Sequence, residues 1–186
     1  FSSKAEFLTN KLAGFDNSAD HNITPKDVVL YGFGRIGRLA ARELIKQAGK
    51  GQQLRLRAIV TRSVTKDSII KRAALLTNDS VHGEFNGNVD VDIENQALII
   101  NGQIVKLIEA KNPEDTDYTS YGINDALIID NTGVFSDKEA LGRHMQAKGV
   151  SKVLLTAPGK EIPNIVYGIN QDEFDLEKYD FSIRPF

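Results

Sequence analysis

The sequence predicts an α/β domain, built as a doubly wound, mostly parallel sheet with a small antiparallel meander inserted into it. Three observations lead there. An apolar strand, Val28-Val29-Leu30-Tyr31, runs into Gly32-Phe33-Gly34-Arg35-Ile36-Gly37 and straight on into a helical pattern. Further strand-like and helix-like stretches then alternate along most of the chain. Between Asn88 and Glu109 that rhythm is replaced by apolar residues at every second position, the period of strands with one buried face.

Taken in order, Ser3-Lys4-Ala5-Glu6 reads as a capping box opening a short amphipathic helix to about Ala13, stopped by Gly14. Asn17 to Pro25 is polar and turn-rich, a linker into the first strand. After the glycine loop a helix from Arg35 to Lys46 presents Leu39, Leu44 and Ile45 on one face, and Gly49-Lys50-Gly51 ends it. Leu54 to Val60 is the second strand, completing a unit long enough for a right-handed crossover. Asp67 to Leu76 has the spacing of another helix.

The meander comprises Val89-Asp90-Val91-Asp92-Ile93, Ala97-Leu98-Ile99-Ile100 and Ile104-Val105-Lys106-Leu107-Ile108. Asn101-Gly102 between the last two favours a tight hairpin. Parallel character resumes with the strand Ala126 to Asp130, a helix Asp137 to Ala147 and the strand Val153 to Thr156. A last short strand is expected near Ile165 to Tyr167. Together these elements make an open Rossmann-type sheet, and three regions follow: a helical extension and linker at 1–26, a nucleotide-binding domain at 27–183 and an atypical tail or scar at 184–186.

The glycine spacing is what a dinucleotide needs. Gly32 serves a tight turn, Gly34 lets the backbone approach a pyrophosphate, and Gly37 lets the helix pack closely on the strand. The helix start, at Arg35 and Ile36, aims free N–H groups and the positive dipole end at the phosphates. Ligands in such sheets bind beyond the carboxyl ends of the strands. Those ends carry Gly32 to Gly37, Thr61-Arg62-Ser63, Asn131-Thr132-Gly133 and Thr156-Ala157-Pro158-Gly159, four clusters at one edge that argue for one continuous site.

Composition narrows the partners. Twenty-three basic against 25 acidic side chains leave a net charge of −2, so no overall field draws nucleic acid or an anionic membrane. Apolar runs such as Ala126 to Ile129 are far too short to span a bilayer, and a cytoplasmic location is the default expectation. The chain contains no cysteine, which excludes disulfides, thiolate metal sites and thiol nucleophiles within it. His21, His82 and His144 lack metal-ligand spacing and are expected to be surface or structural residues.

Gly32-Phe33-Gly34-Arg35-Ile36-Gly37-Arg38, Asp79-Ser80-Val81-His82-Gly83, Asn131-Thr132-Gly133-Val134-Phe135 and Thr156-Ala157-Pro158 occur in that order. Together they resemble the amino-terminal half of the glyceraldehyde-3-phosphate dehydrogenases, from about Asp27 to Ile183, and the extended start resembles a longer bacterial variety. The resemblance implies a homotetrameric enzyme of glycolysis and gluconeogenesis that converts glyceraldehyde 3-phosphate and inorganic phosphate to 1,3-bisphosphoglycerate with a nicotinamide dinucleotide. In that family a cysteine attacks the aldehyde, hydride passes to the nicotinamide, and phosphate releases the acyl group from a thioester.

That cysteine belongs to a Ser-Cys-Thr-Thr-Asn motif a few residues beyond the position of Ile183, where this chain reads Arg184-Pro185-Phe186. The expectation is therefore a cofactor-binding fragment without acyl-transfer chemistry and without catalytic residues of its own. The resemblance implies that the Arg35 and Ile36 backbone lies at the pyrophosphate, Lys111 near the adenine end, and Thr132 and Thr156 near the nicotinamide side, with Gly133 also among the cofactor-binding residues. An erythrose-4-phosphate dehydrogenase and a non-catalytic nucleotide-binding module are the alternatives.

At the end of the second strand, NAD-specific sites offer a carboxylate to the ribose 2′-hydroxyl. Here Thr61 and Arg62 stand in its place. No acid repels a 2′-phosphate, and Arg62 with Ser63 can hold one by charge-assisted hydrogen bonds. The cofactor is expected to be NAD or NADP, with NADP or dual use favoured.

Overall fold

The computed structural model describes residues 4–11, 24–49, 53–173 and 181–183. Helix α1 (Lys4–Lys11) forms where the capping box predicts one, but none of its residues is buried. Its expected cap at Ser3, its stop at Gly14, most of the linker, His21, the Lys50-Gly51 stop and the 184–186 tail lie outside the described residues.

Strand β1 (Lys26–Tyr31) is the centre of the molecule and is buried from Asp27 onward. Helix α2 (Arg35–Gln47) follows, then β2 (Leu54–Thr61) and α3 (Lys66–Thr77). A two-residue hairpin, β3 (Asn78–Asp79) with β4 (Gly83–Glu84), precedes the meander β5 (Val89–Asp92), β6 (Ala97–Ile100) and β7 (Gln103–Glu109). The chain returns through β8 (Ala126–Asp130), α4 (Lys138–Met145), β9 (Val150–Leu155) and β10 (Phe181–Ile183).

The main sheet has eight strands in the order β10-β9-β8-β1-β2-β7-β6-β5. All pairs from β10 to β7 are parallel, and β7-β6-β5 are antiparallel. The meander is thus no separate excursion, because β7 pairs with β2 in parallel through Ala58 to Thr61 and with β6 in antiparallel.

Both faces of the sheet are covered, which is why Val28 to Tyr31 of β1 and Ala58 to Val60 of β2 read as continuous apolar runs. Val28 and Leu30 point to one face, where Ala41 and Ile45 of α2 and Ile69, Ala73 and Leu76 of α3 pack. Val29 and Tyr31 point to the other, with Leu141 of α4, Tyr118 and Ile123. Helix α2 buries Gly37, Ala41 and the expected Ile45, whereas the expected Leu39 and Leu44 are only half-buried.

The strand expected at Ile165 to Tyr167 is absent. Val166 O instead accepts from Ile169 N and Asn170 N at 3.0 and 3.1 Å, and Val166 N donates to Asn170 Oδ1 at 2.7 Å. A turn that consumes both of Val166's backbone groups leaves it nothing for a ladder. The outer strand is β10, paired through Phe181 to Ile183 with Val153 to Leu155.

Candidate functional site

The sheet order sets the carboxyl ends of β8, β1, β2 and β7 side by side, and a cleft of about 400 Å³ lies over them. Its floor is the corner between β1 and α2. Gly32 adopts φ +92° and donates its N–H to Val60 O at 3.0 Å, which ties the turn to the end of β2. A Cβ there would stand 2.8 Å from Thr132 Cγ2, and a Cβ on Gly37 would collide with the carbonyl oxygen of Gly32. Both glycines are therefore required by the chain's own packing.

Gly34 differs. It is the N-cap of α2, with an extended backbone and no side chain to accept from the helix, and a Cβ added there would meet nothing within 4 Å. The first-turn amides at Arg35, Ile36 and Gly37 thus receive no acceptor from the cap, and the first turn carries no acid against the helix dipole. The residue type that the fold leaves open at position 34 is the one that bares these donors to an incoming anion.

On the β8 side, Asp130 is fully buried and organises the next turn. Its Oδ1 accepts from Thr132 N and Thr132 Oγ1, each at 2.7 Å, and its Oδ2 stands 2.9 Å from His144 Nε2. The His144 ring is enclosed edge-on by Tyr31 and Phe135, at centroid distances of 4.6 and 5.2 Å. Thr132 Oγ1 in turn accepts from Val134 N at 3.2 Å, which shapes the loop through Gly133. Burial and the nearby Asp130 carboxylate push the Tyr31 hydroxyl up to about 12, so it stays protonated in the cleft wall.

On the β2 side, Thr61 donates to Ser63 O at 3.1 Å, and Ala110 N donates to Thr61 O at 3.0 Å, bringing Arg62 and Lys111 beside one another at adjacent strand ends. The acid at the end of β7, Glu109, accepts from Val64 N at 2.9 Å and is not part of the lining. Among the described residues no acidic one lines the cleft, whereas Arg62, Lys111 and Arg72 of α3 do.

Of the residues singled out from sequence, Gly32, Gly34, Thr61, Arg62, Lys111 and Thr132 line this cleft together. Arg35, Ile36, Gly37 and Gly133 adjoin it in the chain without lining it, and Ser63 does not line it either. Thr156 lies behind the wall, where its hydroxyl donates to Asp130 O at 3.0 Å and contacts Asn131 Oδ1 at 3.3 Å. Three of the four strand-end clusters meet in the cleft, and the fourth braces one of them. His82 is structural, with Nδ1 3.1 Å from Asp79 Oδ1, and among the described residues no group of acids and histidines could hold a metal ion.

Sequence reasoning did not single out Arg72, Asp130 or Tyr31. For Asp130 a signal existed, since an acid ending a strand two residues before a threonine can turn back on that threonine's amide. Arg72 carried none, because its place depends on how α3 rotates over the sheet.

A bared helix start at a glycine corner, at the edge where parallel strands end and beside a cationic cleft, defines a dinucleotide-binding domain of the Rossmann type. Residues 26–138 match the family model described as glyceraldehyde 3-phosphate dehydrogenase, NAD binding domain, and the chain belongs to that family. It is 53% identical over 152 residues to a glyceraldehyde-3-phosphate dehydrogenase-like protein of Pseudomonas aeruginosa, covering 81% of this chain and 33% of that protein. It is 37% identical to the chloroplastic glyceraldehyde-3-phosphate dehydrogenase A of Zea mays (81% and 36% covered) and 36% identical to a glyceraldehyde-3-phosphate dehydrogenase of Chlamydia pneumoniae (84% and 43%). The chain thus spans roughly a third to two fifths of the length of the curated relatives it matches.

Proposed function

We propose that this NAD-binding domain serves a phosphorylating aldehyde dehydrogenase acting on glyceraldehyde 3-phosphate, and that it accepts NADP at least as well as NAD. The dinucleotide supplies the hydride acceptor when bound. The chain's own residues hold and orient it: the Arg35 and Ile36 amides meet the pyrophosphate, Thr132 and Gly133 border the nicotinamide side, and Thr61, Arg62 and Lys111 border the adenosine side. Thr156 acts indirectly, by fixing Asn131.

The observation that carries the cofactor preference is that, among the described residues, no carboxylate lines the cleft where Arg62 and Lys111 stand at the ends of β2 and β7. A vicinal diol gains nothing from a guanidinium that it would gain from a carboxylate, whereas a 2′-phosphate gains charge-assisted hydrogen bonds. With no cysteine in its 186 residues, the chain itself brings no thiol to attack an aldehyde. The homotetramer and the cytoplasmic setting belong to the same proposal, and among the described residues no helix is long and apolar enough to cross a membrane.

Titration of the protein with NADP⁺ and NAD⁺ at low salt tests this. Tighter or equal binding of NADP⁺ supports it, and a clear preference for NAD⁺ removes the role given to Arg62. Turnover of glyceraldehyde 3-phosphate by this chain above a blank would overturn the absence of catalytic residues.

A further inference from the structure

We infer that Arg72 is a second specificity-determining cation, completing with Arg62 and Lys111 a subsite for a phosphomonoester dianion on the adenosine ribose. The inference rests on the dinucleotide reading above and adds to it a residue that lies eleven positions beyond the strand end at Thr61, on the crossover helix.

Its geometry is fixed by the fold. Helix α3 begins immediately after the β2 loop, capped by Thr65, whose Oγ1 accepts from Ser68 N while Ser68 Oγ accepts from Thr65 N at 2.8 Å. Ile69, Ala73 and Leu76 are buried against the sheet, which sets the helix rotation. Arg72 falls on the flank of that buried face, half-buried, and its side chain lines the cleft together with Arg62.

Its chemistry is unspent. Arg38 pairs with Asp79 at 3.0 Å, Arg55 with Asp27 and Arg143 with Glu114 at 2.8 Å, and Arg42 donates to Leu76 O at 2.7 Å. Arg72 makes no hydrogen bond or ion pair with any described residue. Burial alone lowers its pKa, with no carboxylate offsetting it. A partly desolvated guanidinium without a counter-ion favours an arriving anion, and its planar fork matches phosphate oxygens.

The ligand follows from charge and position. All three cations stand on the β2–β7 side of the glycine corner, away from Thr132, so a nucleotide whose pyrophosphate sits at α2 brings its adenosine half to them. A 2′-phosphate carries roughly −1.5 to −2 charge there, and a ribose with two free hydroxyls carries none.

Dissociation constants for NADP⁺, NAD⁺, 2′,5′-ADP and 5′-ADP, measured by calorimetry on the wild type, Arg72→Gln, Arg72→Lys and Arg62→Gln, test the assignment. Arg72→Gln is expected to weaken NADP⁺ and 2′,5′-ADP by about tenfold or more while leaving NAD⁺ and 5′-ADP within about twofold. Arg72→Lys should lose less, since the charge remains and only the fork is lost; it also carries the test if the glutamine variant fails to fold. Unchanged NADP⁺ affinity in the Arg72 variants, with a selective loss in Arg62→Gln, overturns the role of Arg72 and spares the broader reading. Equal weakening of NADP⁺ and NAD⁺ makes Arg72 merely structural and overturns it too. A wild type that binds none of the four ligands overturns both.

Discussion

His144 Nε2 lies 2.9 Å from Asp130 Oδ2, and neither side chain has more than 1% of its surface exposed. The pair joins α4 to the end of β8 directly beneath the turn that carries Thr132. An ionised carboxylate only accepts, so it fixes the ring proton on Nε2, and the same carboxylate's other oxygen holds the Thr132 amide.

His144→Ala should therefore do two things. It leaves Oδ2 without its donor and opens a void between Tyr31 and Phe135, together costing about 3 kcal/mol of stability. Urea unfolding measures that loss. A parallel fall in nucleotide affinity would reflect a Thr132 turn no longer held in place.

Gly34 and Gly37 should separate binding from folding. Gly34→Ala fits the chain, since its Cβ meets nothing, so stability should stay within about 0.5 kcal/mol. Gly34 lines the cleft, so the added methyl takes up space on the side from which a pyrophosphate approaches, and NADP⁺ affinity should drop by about tenfold or more. Gly37→Ala drives a Cβ into the Gly32 carbonyl and should cost about 1–3 kcal/mol in folding. Thermal melts and nucleotide titrations on the two variants check both halves.

Asp79 should carry part of the acid sensitivity. The His82 and Val81 backbone amides, then the Arg38 guanidinium and the His82 ring, hold its carboxyl far below the usual carboxylate range. A carboxyl whose folded pKa lies below its unfolded value stabilises the fold fully above about pH 4, and that stability is lost as pH falls toward the folded pKa. Asp79→Asn should then be less stable than the wild type at pH 7 but show a shallower decline between about pH 4 and pH 2. Denaturant midpoints at pH 7 and pH 3 decide it.

Thr65→Ala removes the cap of α3 and should cost about 1 kcal/mol. Because α3 carries Arg72, the variant should also lose some preference for NADP⁺ over NAD⁺, measurable in the same titrations.

Much of this was legible in the chain itself. Strands β1, β2 and β8 announce themselves through the apolar runs Val28 to Tyr31, Ala58 to Val60 and Ala126 to Ile129, which the sheet buries almost completely. The glycine corner is legible because only residues without a Cβ fit there. What could not be read depends on distant partners. Phe181 to Ile183 becomes a strand because β9 offers it a parallel edge, while Ile165 to Tyr167, just as apolar, is taken by a turn closed through Asn170. Thr156 sits at a strand end like Thr132, yet it points at Asn131 because β9 lies one strand farther from the corner. The pairing of Asp130 with His144, and the approach of Arg72 to Arg62, arise only once helices are laid on the sheet.

The alternation Val89-Asp90-Val91-Asp92 on β5 has an effect beyond its own hairpin. This strand is the last of the sheet, and its free backbone groups would invite a neighbouring molecule to add a strand of its own. Carboxylates at every second position make two such borders repel one another, so this margin of the meander works as a guard rail against strand addition between copies.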